Sequence, residues 1–122
     1  MLSVRRSASR EVRLYLEDIE RACEKIERFT TGMTLESFVA DERTYDAVLR
    51  NLEVLGEAAK RVPDPLRTEM PEVPWRAIAG FRDFMAHVYF ALDDAIIWGA
   101  VQNEVPKLRT TVTRFLAGTQ TP

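Results

Sequence analysis

An arginine, a histidine and a tyrosine stand in the order R-x4-H-x-Y at Arg82, His87 and Tyr89, inside the stretch from Gly80 to Phe90. His87 is the one histidine of the chain. Its neighbours Phe81, Phe84, Met85, Val88 and Phe90 are apolar, and charged or titratable groups are costly to bury without partners. The reaction that suits such a set is phosphodiester cleavage in RNA. The ribose 2'-hydroxyl must lose a proton to attack phosphorus, and the leaving 5'-oxygen must gain one. An imidazole with an unperturbed pKa of about 6.5 can do either near neutrality. A guanidinium can bind phosphate oxygens bidentately and stabilise the charge of the transition state. One histidine supplies one of the two proton transfers, and a second copy of the chain would supply the other. Asp83, beside Arg82, could orient the guanidinium or the imidazole, or simply cap the exposed side of the helix. The scheme needs no metal or cofactor, and a lone histidine without H-x3-H, H-E-x-x-H or a cysteine partner does not make a protein-built metal site.

Helical geometry constrains this reading. If residues 82 to 89 form one α-helix, Arg82 and Tyr89 lie almost in line, whereas Arg82 and His87 are about 140° apart around the axis. A joint arginine and histidine site then needs a bend near Ala86 or a second chain, and two-fold dimers bring the same segment of each copy together. On the residues alone another reading stays open. A single histidine in an apolar helix is commonly structural, hydrogen-bonded in a core or an interface, and a tyrosine such as Tyr89 is commonly a half-buried aromatic.

The elements that must carry this stretch are helices. Val12, Tyr15, Leu16, Ile19, Cys23, Ile26 and Phe29 step by threes and fours, which predicts a helix from Ser9, a suitable N-cap, to Thr31, ended by Gly32. Thr34 and Ser37 predict a short helical turn. Asp41 is placed to cap a second long helix with the stripe Tyr45, Val48, Leu49, Leu52, Leu55, Ala59 and Val62, in which Gly56 marks a packing contact. Pro63, Pro65, Pro71 and Pro74 make 61–74 a connector with at most one short turn, and Pro74 opens the helix that leads into the motif. Asp93 or Asp94 can cap the last helix, whose stripe Ile97, Trp98, Val101, Val105, Leu108, Val112, Phe115 and Leu116 should be kinked or split at Pro106. With no strand-like alternation, the chain reads as all-α, an antiparallel bundle of four to five helices.

Composition sets the outer bounds. The chain has 122 residues, enough for one domain with one core, residues 1–8 and 118–122 being expected as flexible ends. A net charge of -2 excludes binding of nucleic acid by bulk positive charge, so any RNA must meet a local patch. The arginines at 5, 6, 10 and 13 form the most basic local run and read as a solvated terminus. The single cysteine, Cys23, excludes an intramolecular disulfide and sits in an apolar stripe, as a buried inert thiol would. No stretch approaches the roughly 18 consecutive apolar residues of a membrane span, and the cytoplasm is the expected location.

Several motifs together resemble the HepT-like (DUF86) toxins of the HEPN superfamily. They are Pro74-Trp75-Arg76-Ala77-Ile78-Ala79-Gly80-Phe81-Arg82 running into His87-Val88-Tyr89-Phe90, the upstream Tyr45 and the run NLEVLGEAAK from Asn51 to Lys60, and the downstream Asp93, Trp98, Val101, Pro106 and Leu108. The R-x4-H-x-Y string alone is weakly specific, and its combination with PW-x-x-I-x-GF-R and GEA is strong. The resemblance implies a HEPN-like helical fold and a metal-independent endoribonuclease toxin whose cleft forms across a homodimer. Arg82 and His87 take the place of the catalytic pair. Tyr89 matches the tyrosine to which a cognate antitoxin, a minimal nucleotidyltransferase of the MntA type, transfers AMP from ATP. The superfamily commonly has asparagine after the arginine, where this chain has Asp83, a carboxylate that repels phosphate unless a cation pairs with it. A second expectation from another class is a helical module without catalysis that binds a nucleotidyltransferase partner.

Overall fold

The computed structural model describes residues 10–87 and 93–119, with the backbone alone described at 82–87 and at Thr119. Helix α1 spans Arg10–Thr30, α2 Leu35–Ala40, α3 Glu42–Lys60, α4 Asp64–Glu69, α5 Trp75–His87 and α6 Asp94–Gly99. A π-helical turn, Ala100–Glu104, then joins α6 to α7, Val105–Thr119. Among the described residues there is no strand, and the expected all-α bundle is what is observed.

Local chemistry sets the boundaries. Gly32 adopts φ 78°, a left-handed conformation that ends the helical path after Thr30. Thr34 and Ser37 form a reciprocal capping box on α2: the Thr34 hydroxyl accepts from the Ser37 amide at 3.1 Å, and the Ser37 hydroxyl accepts from the Thr34 amide at 2.9 Å. Asp41 closes α2 and opens α3, its carboxylate accepting from the Thr44 amide at 3.1 Å. Pro74 stands one residue before α5, where its carbonyl accepts the first helical bond, from the Ile78 amide at 3.0 Å.

Helix α1 lies between α3 and α7, and α3 lies between α1 and α5. Neighbours run antiparallel. The Arg61 guanidinium at the end of α3 lies 5.7 Å from the centre of the Tyr15 ring near the start of α1. On the other flank Arg109 of α7 pairs with Glu27, its Nε 3.0 Å from Oε1, and Thr113 donates to Glu20 at 2.6 Å. The core between them is built from Leu16, Ile19, Cys23 and Ile26 of α1, Val48, Leu52, Leu55 and Ala59 of α3, Trp75 and Ile78 of α5, and Ile97, Val105, Leu108 and Val112 of the last helical stretch. Gly56 is buried without interrupting α3.

Two details differ from the sequence reading. Phe29, counted in the α1 stripe, is exposed, with the Arg28 guanidinium over its ring at 5.5 Å; buried Thr30 takes the inward place instead, donating its hydroxyl to the Ile26 carbonyl at 2.8 Å. The interruption expected at Pro106 takes the form of a π turn between α6 and α7. A proline removes an amide donor and crowds the carbonyl four residues back, and the π turn just upstream widens the coil there, with the Val105 amide bonded to the Ala100 carbonyl.

The connector after α3 is tied down by one side chain. Arg67 of α4 donates to the carbonyls of Val62, at 2.9 Å, and Ala59, at 2.7 Å, the latter an acceptor that the Val62 amide also shares at 3.2 Å. Its guanidinium also lies 5.9 Å from the centre of the Trp75 ring, and the buried indole N–H donates to the Met70 carbonyl at 3.1 Å. The start of α5 is thereby fixed against the end of α3.

Two outcomes follow from this packing. Leu52 is fully buried where α3 meets its neighbours, so Leu52→Ala should lower unfolding free energy by about 2 to 5 kcal/mol in urea denaturation. Burial pushes the Cys23 thiol up to about 12, so native protein should not react with a thiol reagent at pH 8, and one equivalent should react once guanidinium unfolds it.

Candidate functional site

Helix α5 carries the arginine and the histidine, and its first half explains where they stand. Trp75 and Ile78 are buried, Ala79 and Phe81 pack at the core edge, and Arg76 and Ala77 are exposed. The helix runs from Trp75 through His87 among the described residues. On a continuous helix the Cα positions of Arg82 and His87 are about 140° apart. Position 82 is about 40° from Ile78 around the axis and position 87 about 180° from it. The backbone therefore places both residues, and Asp83 with them, on α5 without bringing 82 and 87 onto one face. Tyr89 lies outside the described residues.

The neighbouring elements show at which end of the bundle His87 stands. Trp75 is level with Ala59 through Arg67, and Leu52 shares an apolar groove with Gly80 and Phe81, so α5 runs toward the start of α3 as it approaches His87. From Phe81 to His87 is a rise of about 9 Å, and from Leu52 to Tyr45 about 10.5 Å. The histidine end of α5 is thus level with Tyr45.

Tyr45 itself is tied to α6. Asp93 caps it, its carboxylate accepting from the amides of Ala95 at 2.9 Å and Ile96 at 3.3 Å. Asp94, the other capping candidate, is engaged elsewhere, accepting the Tyr45 hydroxyl at 2.6 Å across 49 positions of sequence. Burial first, and the Asp94 carboxylate second, push the Tyr45 phenol up to about 12, so it stays a donor throughout the neutral range. Phe38 of α2 packs between them, with ring centres 5.2 Å from Tyr45 and 5.0 Å from Trp98. Sequence reasoning placed Tyr45 in an apolar stripe and missed this link. The available signal was the Asp93-Asp94 pair, since a helix has one N-cap position and the second carboxylate needs another partner.

Beside α5 runs an apolar groove of about 240 Å³, lined by Leu52, Ala77, Gly80, Phe81, Ile96, Ile97 and Ala100. Ile96 at its edge is 58% exposed, a large cost for a β-branched apolar side chain left in water. A larger cleft between α1 and α3 holds Arg50, Glu53, Glu57 and Arg61, but these charges pair with one another, Arg50 with Glu53 at 3.3 Å and Arg61 with Glu57 at 3.2 Å. On α1, Arg13, Arg21 and Arg28 likewise pair with Glu17, Asp18 and Glu24. Of the arginine-rich start of the chain, Arg13 is thus neutralised by a carboxylate on its own helix. Among the described residues, no three histidine, cysteine or carboxylate side chains cluster as a metal site, and no helix is long and apolar enough to cross a membrane.

Comparison with known proteins agrees with the motifs. The chain is 43% identical over 95 residues to a protein of Thermococcus cleftensis named "Probable ribonuclease HepT", covering 78% of this chain and 86% of that one. It is 42% identical over 97 residues to a "Putative RNase" of Methanocaldococcus jannaschii, covering 80% of each, and 39% identical over 104 residues to another so named in Caldanaerobacter subterraneus, covering 85% and 93%. No solved structure matches significantly. The HepT-like family profile, described as Ribonuclease HepT-like, matches residues 19–115, which takes in α5 and the whole R-x4-H-x-Y stretch. The chain belongs to the HepT-like ribonuclease family.

Proposed function

We propose that this HepT-like ribonuclease is the toxin of a type VII-like toxin-antitoxin pair, cutting RNA without metal by attack of a ribose 2'-hydroxyl on the adjacent phosphate. Arg82 binds the phosphate and offsets the charge that grows in the transition state. His87 moves the proton, as base toward the 2'-hydroxyl or as acid toward the leaving 5'-oxygen. The observation that carries the reading is the R-x4-H pair on one continuous helix inside the segment that matches the family.

The angular separation of those two positions supports a cleft made by two copies of the chain. Each copy contributes one arginine and one histidine from opposite sides of its helix, and the pair of histidines covers both proton transfers. The apolar groove and exposed Ile96 beside α5 support contact between copies on this flank. Tyr89 is the control point. A nucleotidyltransferase antitoxin of the MntA type directs the phenol oxygen at the α-phosphorus of ATP, and pyrophosphate leaves. The added AMP brings bulk and negative charge to the place where RNA phosphate must approach. Asp83 sits next to the phosphate-binding arginine and serves it by orienting the guanidinium. The protein acts in the cytoplasm, on RNA, beside its antitoxin.

Purified protein should cleave RNA in the presence of EDTA, and Arg82→Ala or His87→Ala should each reduce cleavage by on the order of 100-fold or more and abolish growth arrest in cells lacking the antitoxin. Full toxicity in both variants would remove the assignment, and an intact dimer that binds the nucleotidyltransferase but leaves RNA whole would favour the binding-module reading. Mass spectrometry of protein co-expressed with the antitoxin should show added AMP on wild type and none on Tyr89→Phe, which should remain toxic in its presence.

A further inference from the structure

We infer that one end of the groove between α1 and α3 is a subsite for single-stranded RNA, in which Phe29 stacks a base and Lys25, Arg28 and Arg43 hold phosphates; this rests on the ribonuclease reading above. The two antiparallel helices share a cleft lined by Asp18 on α1 and by Arg50 and Val54 on α3. Lys25 and Phe29 stand seven and eleven positions after Asp18, and Arg43 stands seven before Arg50 and eleven before Val54. Steps of seven and eleven return to within about 20° of the same face of an α-helix, so these residues continue the two walls of the cleft. Eleven residues rise about 16.5 Å, and because the helices run in opposite directions both walls extend toward the end where α1 finishes and α3 begins.

The occupant follows from what is left over at this end. Phe29 is an aromatic that the α1 stripe should bury, yet Thr30 takes the inward place and the ring stays 36% exposed. Its surroundings are cationic. Among the described residues Lys25 and Arg43 form no ion pair. Arg28, 5.5 Å from the ring centre, is met by Glu24 only at 3.7 Å, with side chains 62% and 64% exposed, a contact too weak to neutralise it. Farther along the groove the arginines have nearer carboxylates, Arg21 with Asp18 at 3.1 Å, Arg50 with Glu53 at 3.3 Å and Arg61 with Glu57 at 3.2 Å. An open ring flanked by cations one turn apart suits a single strand, because every base has a face to stack and every nucleotide brings a phosphate. This is also the end of α3 toward which α5 runs. The axes of α1 and α5, each packed on α3, are at most about 20 Å apart, so a few nucleotides of one strand join the two places.

The test is equilibrium binding of full-length protein to a short fluorescent single-stranded RNA whose 2'-hydroxyls are methylated, so that it cannot be cut. Phe29→Ala and Phe29→Leu should each weaken binding about tenfold, whereas Phe29→Tyr, which keeps the aromatic face, should stay within about twofold of wild type. Lys25→Ala and Arg43→Ala should each flatten the slope of log affinity against log salt by about 0.7. Lys107→Ala, which removes an exposed cation from α7, should leave that slope unchanged. Asp46 is an exposed carboxylate three positions from Arg43 that repels phosphate, and Asp46→Asn should tighten binding. With unmodified RNA, Phe29→Ala should raise KM about tenfold and leave kcat nearly unchanged, the mark of binding away from the scissile bond. Circular dichroism checks folding; should Phe29→Ala not fold, the contrast between Phe29→Leu and Phe29→Tyr decides the question. Wild-type affinity in Phe29→Ala or Phe29→Leu, or an equal flattening in Lys107→Ala, would overturn the subsite. So would a Phe29→Ala variant that separates associated copies while keeping its RNA affinity, since this face would then be an interface between copies. Absence of RNA cleavage by wild type would instead overturn the ribonuclease reading, and the ordering of the variants on the methylated strand would still decide the subsite.

Discussion

Helix α3 is buried on two sides, by α1 and by α5, and that double burial is the constraint on which the site depends. Val48, Leu52, Leu55 and Ala59 are all nearly inaccessible, so α3 cannot tilt or slide without opening the core toward both neighbours. It acts as the fixed reference for the two elements nearest the candidate site. Helix α5 is registered against it at one end by Arg67, which binds α3 carbonyls and covers Trp75, and α6 is registered at the other by Tyr45. The apolar effect supplies most of the stability here, and the few polar contacts decide alignment along the helix axes.

This division of labour accounts for the placement of charge. The ion pairs on α1 and α3 are exposed and mostly three or four residues apart, so each contributes a few tenths of a kcal/mol at most and their main effect is to neutralise arginines locally. A net-negative protein that meets RNA gains from this arrangement. Attraction for phosphate is weakened along α1 and α3 where these pairs form.

Much of this was legible in the sequence for definite reasons. Capping residues write their role locally: Asp41, Thr34 with Ser37, and Gly32 each act within four positions, so the ends of α1, α2 and α3 followed from neighbours in the chain. The buried stripes of α1 and α3 followed from spacing alone. What spacing could not show was which half-polar residues reach across the fold. Tyr45 fits an apolar stripe, and its partner lies 49 positions away, so only the tertiary arrangement reveals the bond. Arg67 reads as an ordinary connector residue until α3 ends beside it. At the site, R-x4-H predicts divergence on a straight helix, and α5 carries both positions.

The wide turn at Ala100–Glu104 does more than accommodate a proline. Ile97, Val101 and Val105 are buried at intervals of four, and on a uniform α-helix each such step overshoots a full turn by about 40°. A π turn carries more residues per revolution, so it absorbs part of that overshoot and keeps the apolar line in phase as it passes Pro106. One continuous rod can therefore address α2 and α3 with its first half and α1 with its second. Loss of a single residue from this turn would return it to ordinary α-helical spacing, with Leu108 and Val112 close to their present phase but without the extra backbone that precedes Pro106. The turn is a phase correction written into the backbone.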